Sequence, residues 1–560
     1  MLRRYVIFSL ISAFALMLLA SGATYPGAYV VPATEPEHGT NRGMVASAHP
    51  LATQAGIDIL RKGGNAFDAA VSVAASLNVV EPMMSGIGGY GTILVYSAEE
   101  SRVRFLDSSG KIPAAVDSDV FRPPTPGYLE NRRGPKAVST PGNVNAWEAL
   151  SSQYGKLPWD ELFAPAIALA AEGFSLGGSA AGSIAHAFDD FPGHARKIYG
   201  REGRPLRSGE RLIQEDLART LRLIAREGPK AIYGGPVGLA IDSAMKEAEG
   251  FLSITDLEQD KAEWWQPLRI KYRGCEVYTA SPPASAFPSL IRLGLMSCFD
   301  VGKLGHNSAA FLHCYAEVTK HAYWCRLAYA GDPEINPPPL DKLLSEGYWK
   351  AQAQKIRPDT VTPFVPPDVT IKQGVNTTHF VVADRWGNIV SATQTLGNAF
   401  GSRIMPEGTG VWLNNSLAYC TFEPAGNPMD AHAGHRKLSG DCPTFVFRDG
   451  RPWVALGTPG GHTIGQTVPQ MVMNLVDFGM DIQSAIAAPR ISFREPDSLA
   501  VEAGIAAEVV AELRRLGHNV REAGGLGNAH GLTVVYGRDG RPRRFEGGAD
   551  PRGEGTASGF

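Results

Sequence analysis

The chain has 560 residues, 44% of them hydrophobic, so it is long enough for one very large core or for several domains. Its 53 basic and 56 acidic side chains nearly cancel, which gives a net charge of −3, and the basic residues form no run longer than a pair. A nucleic-acid partner is therefore not expected.

The first 23 residues have the composition of a secretory signal peptide. Two arginines precede an apolar run over residues 6–20, and Ser21 and Ala23 follow at the spacing that signal peptidases prefer. We expect cleavage near Ala23, a secreted or periplasmic protein, and no stable membrane span after cleavage. The alternative is an uncleaved anchor, although the apolar run is short for a bilayer span.

Residues 24–43 are predicted to be a tether, and from Met44 the chain alternates helices and strands with short loops rich in Gly and Pro. Apolar positions at helical spacing predict helices over residues 52–62 and 66–77, the first of which ends at a pair of glycines. Four more segments have a helical pattern: "LPWDELFAPAIALAAEGF", "LIQEDLARTLRLIAREGPKAIYGG", "SAAFLHCYAEVTKHAYWCRLAYAGDP" and "QTVPQMVMNLVDFGM". Strands are predicted at "TILVYSA" and "PTFVFRDGRPWVALGTPGG". Helices around central hairpins indicate a layered fold of α and β elements.

The segment "GIGGYG", residues 86–91, matches the G-x-G-x-x-G pattern of dinucleotide-binding proteins. In those proteins the glycines follow a strand and open a helix, whereas here they follow a predicted helix and open a predicted strand. Nucleotide binding is therefore not expected, and close packing of backbones is the favoured use of these glycines. We expect no cofactor and no metal, since the six cysteines show no C-x-x-C spacing.

Two of the cysteines, Cys420 and Cys442, bracket a loop rich in Gly, Pro and His. In an oxidising compartment a disulfide between them would close this loop, and buried free thiols are the alternative. Cys314 and Cys325 lie about 16 Å apart along a predicted helix, so they cannot pair with each other.

The segment "GVNTTHFVVADRWGNIVSATQTL", residues 374–396, has the pattern of a β-hairpin. Thr378, Phe380 and Val382 alternate with their neighbours, residues 384–388 are turn formers, and residues 389–396 are again typical of a strand. Threonine is a good strand residue, so on this pattern alone the two threonines at the start of the hairpin need no special chemistry.

A threonine hydroxyl becomes an effective nucleophile when the α-amine of the same residue, freed by cleavage of the chain, serves as its base. Cleavage between Asn376 and Thr377 would give Thr377 such an amine, with a near-neutral pKa and without a His/Asp pair. This nucleophile also needs paired backbone N–H donors for an oxyanion. The segment "TPGG", residues 458–461, follows a predicted strand and could supply them, although such a segment is more often a simple turn.

The chain contains seven blocks, in order from Met44 to Phe560: "GMVASAHPLATQAGIDILRKGGNAFDAAVS", "EPMMSGIGGYGTILVYS", "NTTHFVVADRWGNIVSATQTL", "FGS", "LNNS", "GTPGG" and "GGADPRGEGTASGF". Their succession resembles that of the γ-glutamyltranspeptidase family, within the N-terminal-nucleophile hydrolase superfamily. The resemblance covers nearly the whole chain after the predicted signal, and long blocks in the same order make it specific.

The resemblance implies a proenzyme that cuts itself between Asn376 and Thr377. The products would be a large subunit of residues 44–376 and a small subunit of residues 377–560, folded together as a four-layer αββα sandwich of the α+β class. Thr377 matches the nucleophile, and Thr395 matches the threonine that supports its amine and hydroxyl. Gly460 and Gly461 match the oxyanion-binding pair.

Positions that hold the glutamyl group in this family are mostly different here. Ser439 matches the first of two serines that contact the substrate carboxylate. The other substrate-binding positions depart from the family pattern: Ser109 for an arginine in the block "DSSGKIP", Tyr419 for an aspartate, Gly440 for the second serine, and Gly397, followed by Asn398, for an asparagine.

Loss of the arginine and the aspartate removes charge-assisted contacts worth about 1.5–3 kcal/mol each. Four other basic residues are candidates for binding the substrate carboxylate instead: Lys111, Arg403, Arg436 and Lys437. For each of them the alternative is an ordinary charge on the solvated surface.

Two enzyme functions and one other function remain open. The first is a γ-glutamyltransferase or glutathione hydrolase that acts on a small-molecule amide such as glutathione, by hydrolysis or by acyl transfer. The second is an amidase of the same family for a non-glutamyl acyl group, as in its acylase and oxamate-amidase branches. The third, a processed but inactive binding protein, fits less well because the residues matched to the catalytic groups are all present. The expected macromolecular partners are the two subunits of one precursor.

Overall fold

The computed structural model describes residues 40–123, 130–367 and 376–560. The predicted signal peptide, residues 1–23, and residues 24–39 of the predicted tether lie outside these ranges. The end of the tether prediction overlaps the first strand, which begins at Gly43. In the described part of the chain, no helix combines the length and the apolar character that crossing a bilayer requires.

Twenty strands are present in the described residues. In chain order they are β1 (Gly43–Ser47), β2 (Tyr90–Ser97), β3 (Arg102–Ser108), β4 (Phe174–Ser175), β5 (Gly200–Arg201), β6 (Arg204–Pro205), β7 (Arg211–Leu212), β8 (Glu263–Trp265), β9 (Leu268–Tyr272), β10 (Cys275–Thr279), β11 (Asn376–Asp384), β12 (Ile389–Gly397), β13 (Thr444–Arg448), β14 (Arg451–Gly457), β15 (Ile491–Arg494), β16 (Ser498–Glu502), β17 (Val520–Ala523), β18 (His530–Tyr536), β19 (Pro542–Ala549) and β20 (Thr556–Gly559).

The α-helices of the same residues are α1 (Pro50–Arg61), α2 (Ala66–Val80), α3 (Asn143–Tyr154), α4 (Ala164–Glu172), α5 (Gly178–Ala187), α6 (Gly193–Tyr199), α7 (Glu215–Glu227), α8 (Pro236–Glu247), α9 (Ile254–Gln259), α10 (Phe287–Met296), α11 (Val301–Leu304), α12 (Ala309–Tyr329), α13 (Leu340–Leu343), α14 (Glu346–Ala353), α15 (Ile464–Val476), α16 (Ile482–Ala487) and α17 (Ala507–Leu516).

Two large sheets lie at the centre of the fold. The first has seven strands in the order β20-β1-β11-β12-β2-β3-β8, and the second has six in the order β19-β18-β14-β13-β10-β9. All strand pairs in both sheets are antiparallel. Strands β11 and β12 of the first sheet pack on β14 and β18 of the second, so the two sheets face each other.

Side-chain alternation along β11 explains the layers. Val381 and Ala383 point into the core between the two sheets, which also contains Val454 and Leu532. The intervening Phe380 and Val382 belong to the core beneath helices α1 and α2. Because successive residues of a strand face opposite sides, a strand buried on both faces is apolar throughout.

Helices cover the outer face of each sheet. Helices α1 and α2 lie on the seven-stranded sheet, whereas α10, α15 and α16 lie on the six-stranded sheet. The result is the predicted four-layer αββα sandwich. Both sheets combine strands from before and after Asn376, since β1, β2, β3, β8, β9 and β10 precede it in the chain. A cut at this residue would therefore leave two pieces that remain joined by sheet hydrogen bonds.

The local predictions agree with these elements in most places. The helices predicted over residues 52–62 and 66–77 are α1 and α2, and the threonine hairpin is β11 and β12. The glycines of "GIGGYG" pack closely as predicted, because a Cβ at Gly88 would lie 2.1 Å from the carbonyl oxygen of Trp412.

The suggested disulfide between Cys420 and Cys442 is wrong for this structure, in which both are buried free thiols. Cys442 instead lies within hydrogen-bond distance of two hydroxyl groups, Ser289 Oγ at 3.2 Å and Thr279 Oγ1 at 3.5 Å. The two cysteines belong to different hydrophobic clusters. Cys420 packs in a small cluster with Phe121 and Leu417, whereas Cys442 belongs to the large cluster that includes the core between the two sheets.

Candidate active site

The two predicted catalytic threonines meet across the β11–β12 hairpin. Thr377 Oγ1 donates to Thr395 Oγ1 at 3.3 Å, and Thr395 Oγ1 donates to the carbonyl oxygen of Asn376 at 2.5 Å. The N–H of Gly397 donates to Thr395 Oγ1 at 2.8 Å and helps to orient that hydroxyl. The predicted nucleophile, its supporting hydroxyl and the carbonyl of the predicted cleavage site therefore form one hydrogen-bonded row.

A bulge in β12 produces this contact. Asn376 pairs with Gly397 and Thr378 pairs with Gln394, so two residues of β12 lie opposite the single residue Thr377. A bulge interrupts the regular alternation of side chains and aims one of them in a new direction. Here it brings the Thr395 hydroxyl to the carbonyl at the start of β11.

The predicted oxyanion glycines lie where β14 leads into helix α15. Gly460 and Gly461 have φ values of 136° and 58°, which favour glycine, and a Cβ at Gly460 would lie 2.4 Å from Thr463 Oγ1. A short 3₁₀ turn, Gly461–Thr463, precedes α15. The N–H groups at the start of a helix lack partners within it and are suited to an anion.

A cleft of about 510 Å³ contains both Thr377 and Gly460. The acidic and basic side chains in its lining are Glu81, His462, Arg494 and Glu495. Burial and the positive charges of three arginines lower the pKa of His462 to about 4, so this imidazole is neutral and weakly basic at pH 7. His462 is therefore a poor base for a threonine hydroxyl at neutral pH.

Comparison with known proteins agrees with this geometry. The sequence profile of the family described as gamma-glutamyltranspeptidase matches residues 52–560. The chain belongs to the gamma-glutamyltranspeptidase family. The glutathione hydrolase proenzyme of Bacillus subtilis (strain 168) is 33% identical over 541 residues, which cover 92% of this chain and 91% of that protein.

The acylase ACY 1 proenzyme of Pseudomonas sp. (strain V22) is 34% identical over 532 residues, covering 91% of this chain and 94% of the relative. A solved structure, the cephalosporin acylase from Bacillus halodurans, superposes with a TM-score of 0.87 at 27% identity, covering 96% of this chain and 99% of that one. The predicted fold and the predicted enzyme class, an N-terminal-nucleophile hydrolase of this family, are confirmed.

Ser109, which replaces the family arginine, lies at the same end of the seven-stranded sheet as Thr377. Thr378, Gln394, Gly91 and Ser108 stand in one row across four adjacent strands, so Ser108 is about 14 Å from Thr378. The Ser109 hydroxyl donates to Asp107 Oδ2 at 2.8 Å. No guanidinium occupies this position of the chain.

Three of the four candidate basic residues are already engaged or exposed. Arg436 donates to Asp107 Oδ2 at 2.9 Å and pairs with Glu263 at 2.7 Å. Arg403 forms an ion pair with Asp190. Lys111 is exposed. None of these three has the buried, unpaired charge that binding a substrate carboxylate would need.

Lys437 is different from the other three, because its ammonium group is buried and has no hydrogen-bond acceptor among the described residues. Its Nζ lies 3.4 Å from the centre of the Tyr90 ring and 5.9 Å from the centre of the Tyr419 ring. Tyr90 pairs with Thr395 across β2 and β12, which connects this ammonium to the threonine row. Burial lowers the pKa of Lys437, and nearby Asp441 opposes that effect.

Tyr419, at the family aspartate position, is fully buried at the end of the 3₁₀ turn Ser416–Tyr419. Lys437 faces its ring, and charges of both signs act on its hydroxyl, since Asp441 raises its pKa and Arg326 lowers it.

Ser439 and Gly440 lie beside the predicted oxyanion glycines. A Cβ at Gly440 would lie 3.2 Å from the carbonyl oxygen of Gly461, so these two segments pack backbone to backbone. Ser439 Oγ accepts a hydrogen bond from the N–H of Asp441 at 3.3 Å. Both predicted substrate-binding residues are thus next to the glycine pair.

Asn398 is less directly connected to the threonines. Its N–H donates to Asn415 Oδ1 at 2.8 Å, and no hydrogen bond joins its side chain to Thr377 or Thr395 within the described residues. The preceding Gly397 has φ 100°, and a Cβ there would lie 2.2 Å from Asn415 Oδ1. An asparagine at position 397 would therefore clash unless Asn415 moved.

Sequence reasoning missed two residues near the cleft, Glu81 and Arg326. Glu81 is the C-cap residue of α2, where the negative end of a helix dipole disfavours an acid, and this conflict is the signal that could have identified it. Arg326 lies on α12, most of whose residues are buried. Its Nε donates to Ser285 Oγ at 2.7 Å, but Nη1 and Nη2 have no acceptor among the described residues.

Proposed function

We propose that the chain is a precursor that cuts itself between Asn376 and Thr377 and then works as an amide hydrolase or acyltransferase through Thr377. The observation that carries this proposal is the hydrogen bond from Thr395 Oγ1 to the Asn376 carbonyl oxygen, with Thr377 Oγ1 hydrogen-bonded to the same Thr395 hydroxyl. The relatives named as proenzymes support the same maturation.

Cleavage would begin with attack of Thr377 Oγ1 on the carbonyl carbon of Asn376. The hydrogen bond from Thr395 stabilises negative charge as it develops on the carbonyl oxygen. Collapse of the tetrahedral intermediate breaks the C–N bond as the proton lost by the hydroxyl passes to the nitrogen, which leaves an ester on Thr377 Oγ1 and a free amine on Thr377. Water then hydrolyses the ester, releasing the carboxyl group of Asn376 and restoring the hydroxyl.

The new amine would act as the base in the second reaction. An α-amine has an ordinary pKa of about 7.7–8.0, low enough for its unprotonated form to serve as a base near or above neutral pH. It accepts the proton of Thr377 Oγ1 as the oxygen attacks a substrate amide, and the N–H groups of Gly460 and Gly461 bind the oxyanion. The α-ammonium gives that proton to the leaving nitrogen, the amine product departs, and water or a second amine releases the acyl group from Thr377.

γ-Glutamyl amides, including glutathione, are the first proposed substrate class, supported by the glutathione hydrolase proenzymes among the relatives. A second class is an amide whose acyl group carries a carboxylate but no ammonium, or lacks both. It is favoured by Ser109 and Tyr419, which replace the arginine and the aspartate that hold the glutamyl group in this family. It is also favoured by the cations Lys437 and Arg326, which keep N–H groups without an acceptor among the described residues. The acylase relatives support this class as well.

Three anilides separate the two classes. γ-Glutamyl and glutaryl p-nitroanilide differ only in the α-ammonium group, and glutaryl and butanoyl p-nitroanilide differ only in the carboxylate. We expect kcat/KM to be highest for the glutaryl compound. A preference for the γ-glutamyl compound would instead support γ-glutamyl amides such as glutathione as the substrates. Hydrolysis of none of the three by the cleaved protein would contradict the proposed activity for these acyl groups.

Arg326→Gln tests which cation holds the carboxylate. A charge-assisted contact worth about 1.5–3 kcal/mol corresponds to a loss of roughly 10-fold to 150-fold in the ratio of glutaryl to butanoyl kcat/KM. The matched control is Arg494→Gln, which changes an exposed arginine of the same cleft and is expected to leave that ratio unchanged. The reverse pattern would assign the carboxylate to Arg494.

We also propose that the protein is exported to the periplasm or beyond the cell, on the basis of its two N-terminal arginines, apolar run and small residues. Fractionation of the native host, followed by mass measurement of the mature N-terminus, tests this. A mature chain that starts near position 24 and lies outside the cytoplasm is expected.

A further inference from the structure

Glu81 is a buried acid in the cleft that the proposed mechanism does not yet use. It lies in the cleft lining with Thr377, and its Oε2 accepts a hydrogen bond from Thr378 Oγ1 at 2.9 Å. No ion pair joins Glu81 to a basic side chain among residues 40–123, 130–367 and 376–560. Burial of an acid without a cation is unfavourable, so a purely structural role would be served better by glutamine.

The turn that contains Glu81 contacts both neighbours of Thr377. On one side Asn376 Nδ2 approaches Met84 Sδ at 3.5 Å, and on the other Thr378 donates to Glu81. The turn is also tied to β12, because the N–H of Leu396 donates to the Met84 carbonyl oxygen at 2.9 Å. Glu81 is therefore held beside the peptide bond that the proposed maturation would cut.

Cleavage of that bond changes the charge of this region. Before cleavage the Thr377 nitrogen is an uncharged amide, and burial raises the pKa of Glu81 to about 7, with the Glu554 carboxylate adding to the effect. After cleavage the same nitrogen is an amine that binds a proton. The other charged groups of the cleft are Arg494 and Glu495, and His462 is neutral. The contact through Thr378 makes Glu81 the acid tied to the new amine.

We propose that Glu81 is the counter-ion of the Thr377 α-amine in the cleaved enzyme and that it controls how readily this amine holds its proton. The inference rests on the proposed function. It makes Glu81 a positioning residue: it forms no bond to the substrate, and it acts through the amine that serves as the base.

Glu81→Gln tests the pairing, because it removes the negative charge and keeps the shape and the acceptor for Thr378. Activity requires the unprotonated amine, so kcat/KM rises with pH through the amine pKa. A neighbouring carboxylate stabilises the ammonium form and raises that pKa by about one unit or more. Removal of the carboxylate is expected to move the acidic limb of the kcat/KM profile about one pH unit lower.

The control is Glu495→Gln, which removes the other carboxylate of the cleft and is expected to leave the limb in place. Glu81→Asp keeps the charge and is expected to return the limb toward its original position. A limb that does not move in Glu81→Gln, or that moves only in Glu495→Gln, overturns the proposal.

Mass measurement of the small subunit keeps this test separate from the test of the proposed function. A cleaved, active enzyme whose limb does not move contradicts the role of Glu81 alone. A small subunit that does not begin at Thr377 contradicts the proposed function itself. If Glu81→Gln remains uncut, Thr378→Val provides the second test, because it removes the hydroxyl that holds the carboxylate and is expected to shift the limb in the same direction.

Discussion

The hydroxyl of Thr395 donates to the carbonyl oxygen of Asn376 at 2.5 Å, although the two residues are 19 positions apart in the chain. This contact places a proton donor on the carbonyl oxygen of the bond that the adjacent Thr377 hydroxyl would attack. It exists because two residues of β12 lie opposite one residue of β11. Under the proposed maturation, strand register thus prepares one particular peptide bond for cleavage.

Thr377→Ala should abolish this cleavage, because the methyl side chain has no nucleophilic oxygen. We expect the purified variant to run as one chain on a denaturing gel, whereas the parent runs as two. Thr377→Ser retains the oxygen and serves as the matched control, which should still be cut. Cleavage of the alanine variant at the same bond, in the absence of any protease, would contradict self-processing.

Thr395→Val should slow maturation without changing the nucleophile. Loss of one oxyanion donor costs about 10²–10³-fold in comparable reactions, so we expect the half-time of cleavage to increase by a similar factor. A time course of subunit appearance after synthesis measures it. Thr395→Ser, which keeps the hydroxyl, should mature at nearly the parent rate, and an equal rate in the valine variant would exclude the proposed role.

Stability should depend on pH through Glu81, whose pKa is raised from an ordinary 4.5 to about 7. Between pH 4.5 and about pH 7, Glu81 is ionised in the unfolded chain but still protonated in the folded chain, so the free energy of unfolding falls as pH rises. The shift corresponds to about 3 kcal/mol lost across this interval. We expect this loss in the uncut Thr377→Ala chain.

Chemical denaturation of Thr377→Ala, with and without Glu81→Gln, measures the contribution. The difference between the two chains isolates Glu81, because the other buried carboxyl groups are common to both. The double variant should gain stability relative to the single one on going from pH 4.5 to pH 7. A difference that is constant with pH would mean that the acid titrates normally.

Ser109→Arg combined with Tyr419→Asp should raise kcat/KM for γ-glutamyl p-nitroanilide. The structure offers each new charge an opposite neighbour: Asp107 lies 2.8 Å from Ser109 Oγ, and Lys437 faces the Tyr419 ring. Each single variant supplies only one of the two charged contacts to the glutamyl head group and should gain less. If the unchanged enzyme already hydrolyses glutathione with a sub-millimolar KM, other residues must hold the glutamyl head group.

The hairpin with Thr377, the glycines at 460 and 461, and helices α1 and α2 were all predictable from the sequence. Each depends on local patterns: alternation of apolar residues, turn formers between strands, and glycines at a helix end. The αββα fold followed from the resemblance, because its blocks extend over nearly the whole chain. These features depend on residues close together in the sequence or on the order of long segments.

Tertiary structure decided the charges around the predicted nucleophile. Arg436 is bound to Asp107 across 329 positions, whereas Lys437, the next residue, is buried without an acceptor among the described residues, and no local pattern distinguishes the two. No local pattern predicts the hydrogen bond between Glu81 and Thr378, which are 297 positions apart in the chain. Nor does one predict that Cys420 and Cys442 lie in different hydrophobic clusters. Burial and charge pairing depend on which distant segments pack together, and that packing is a property of the whole fold.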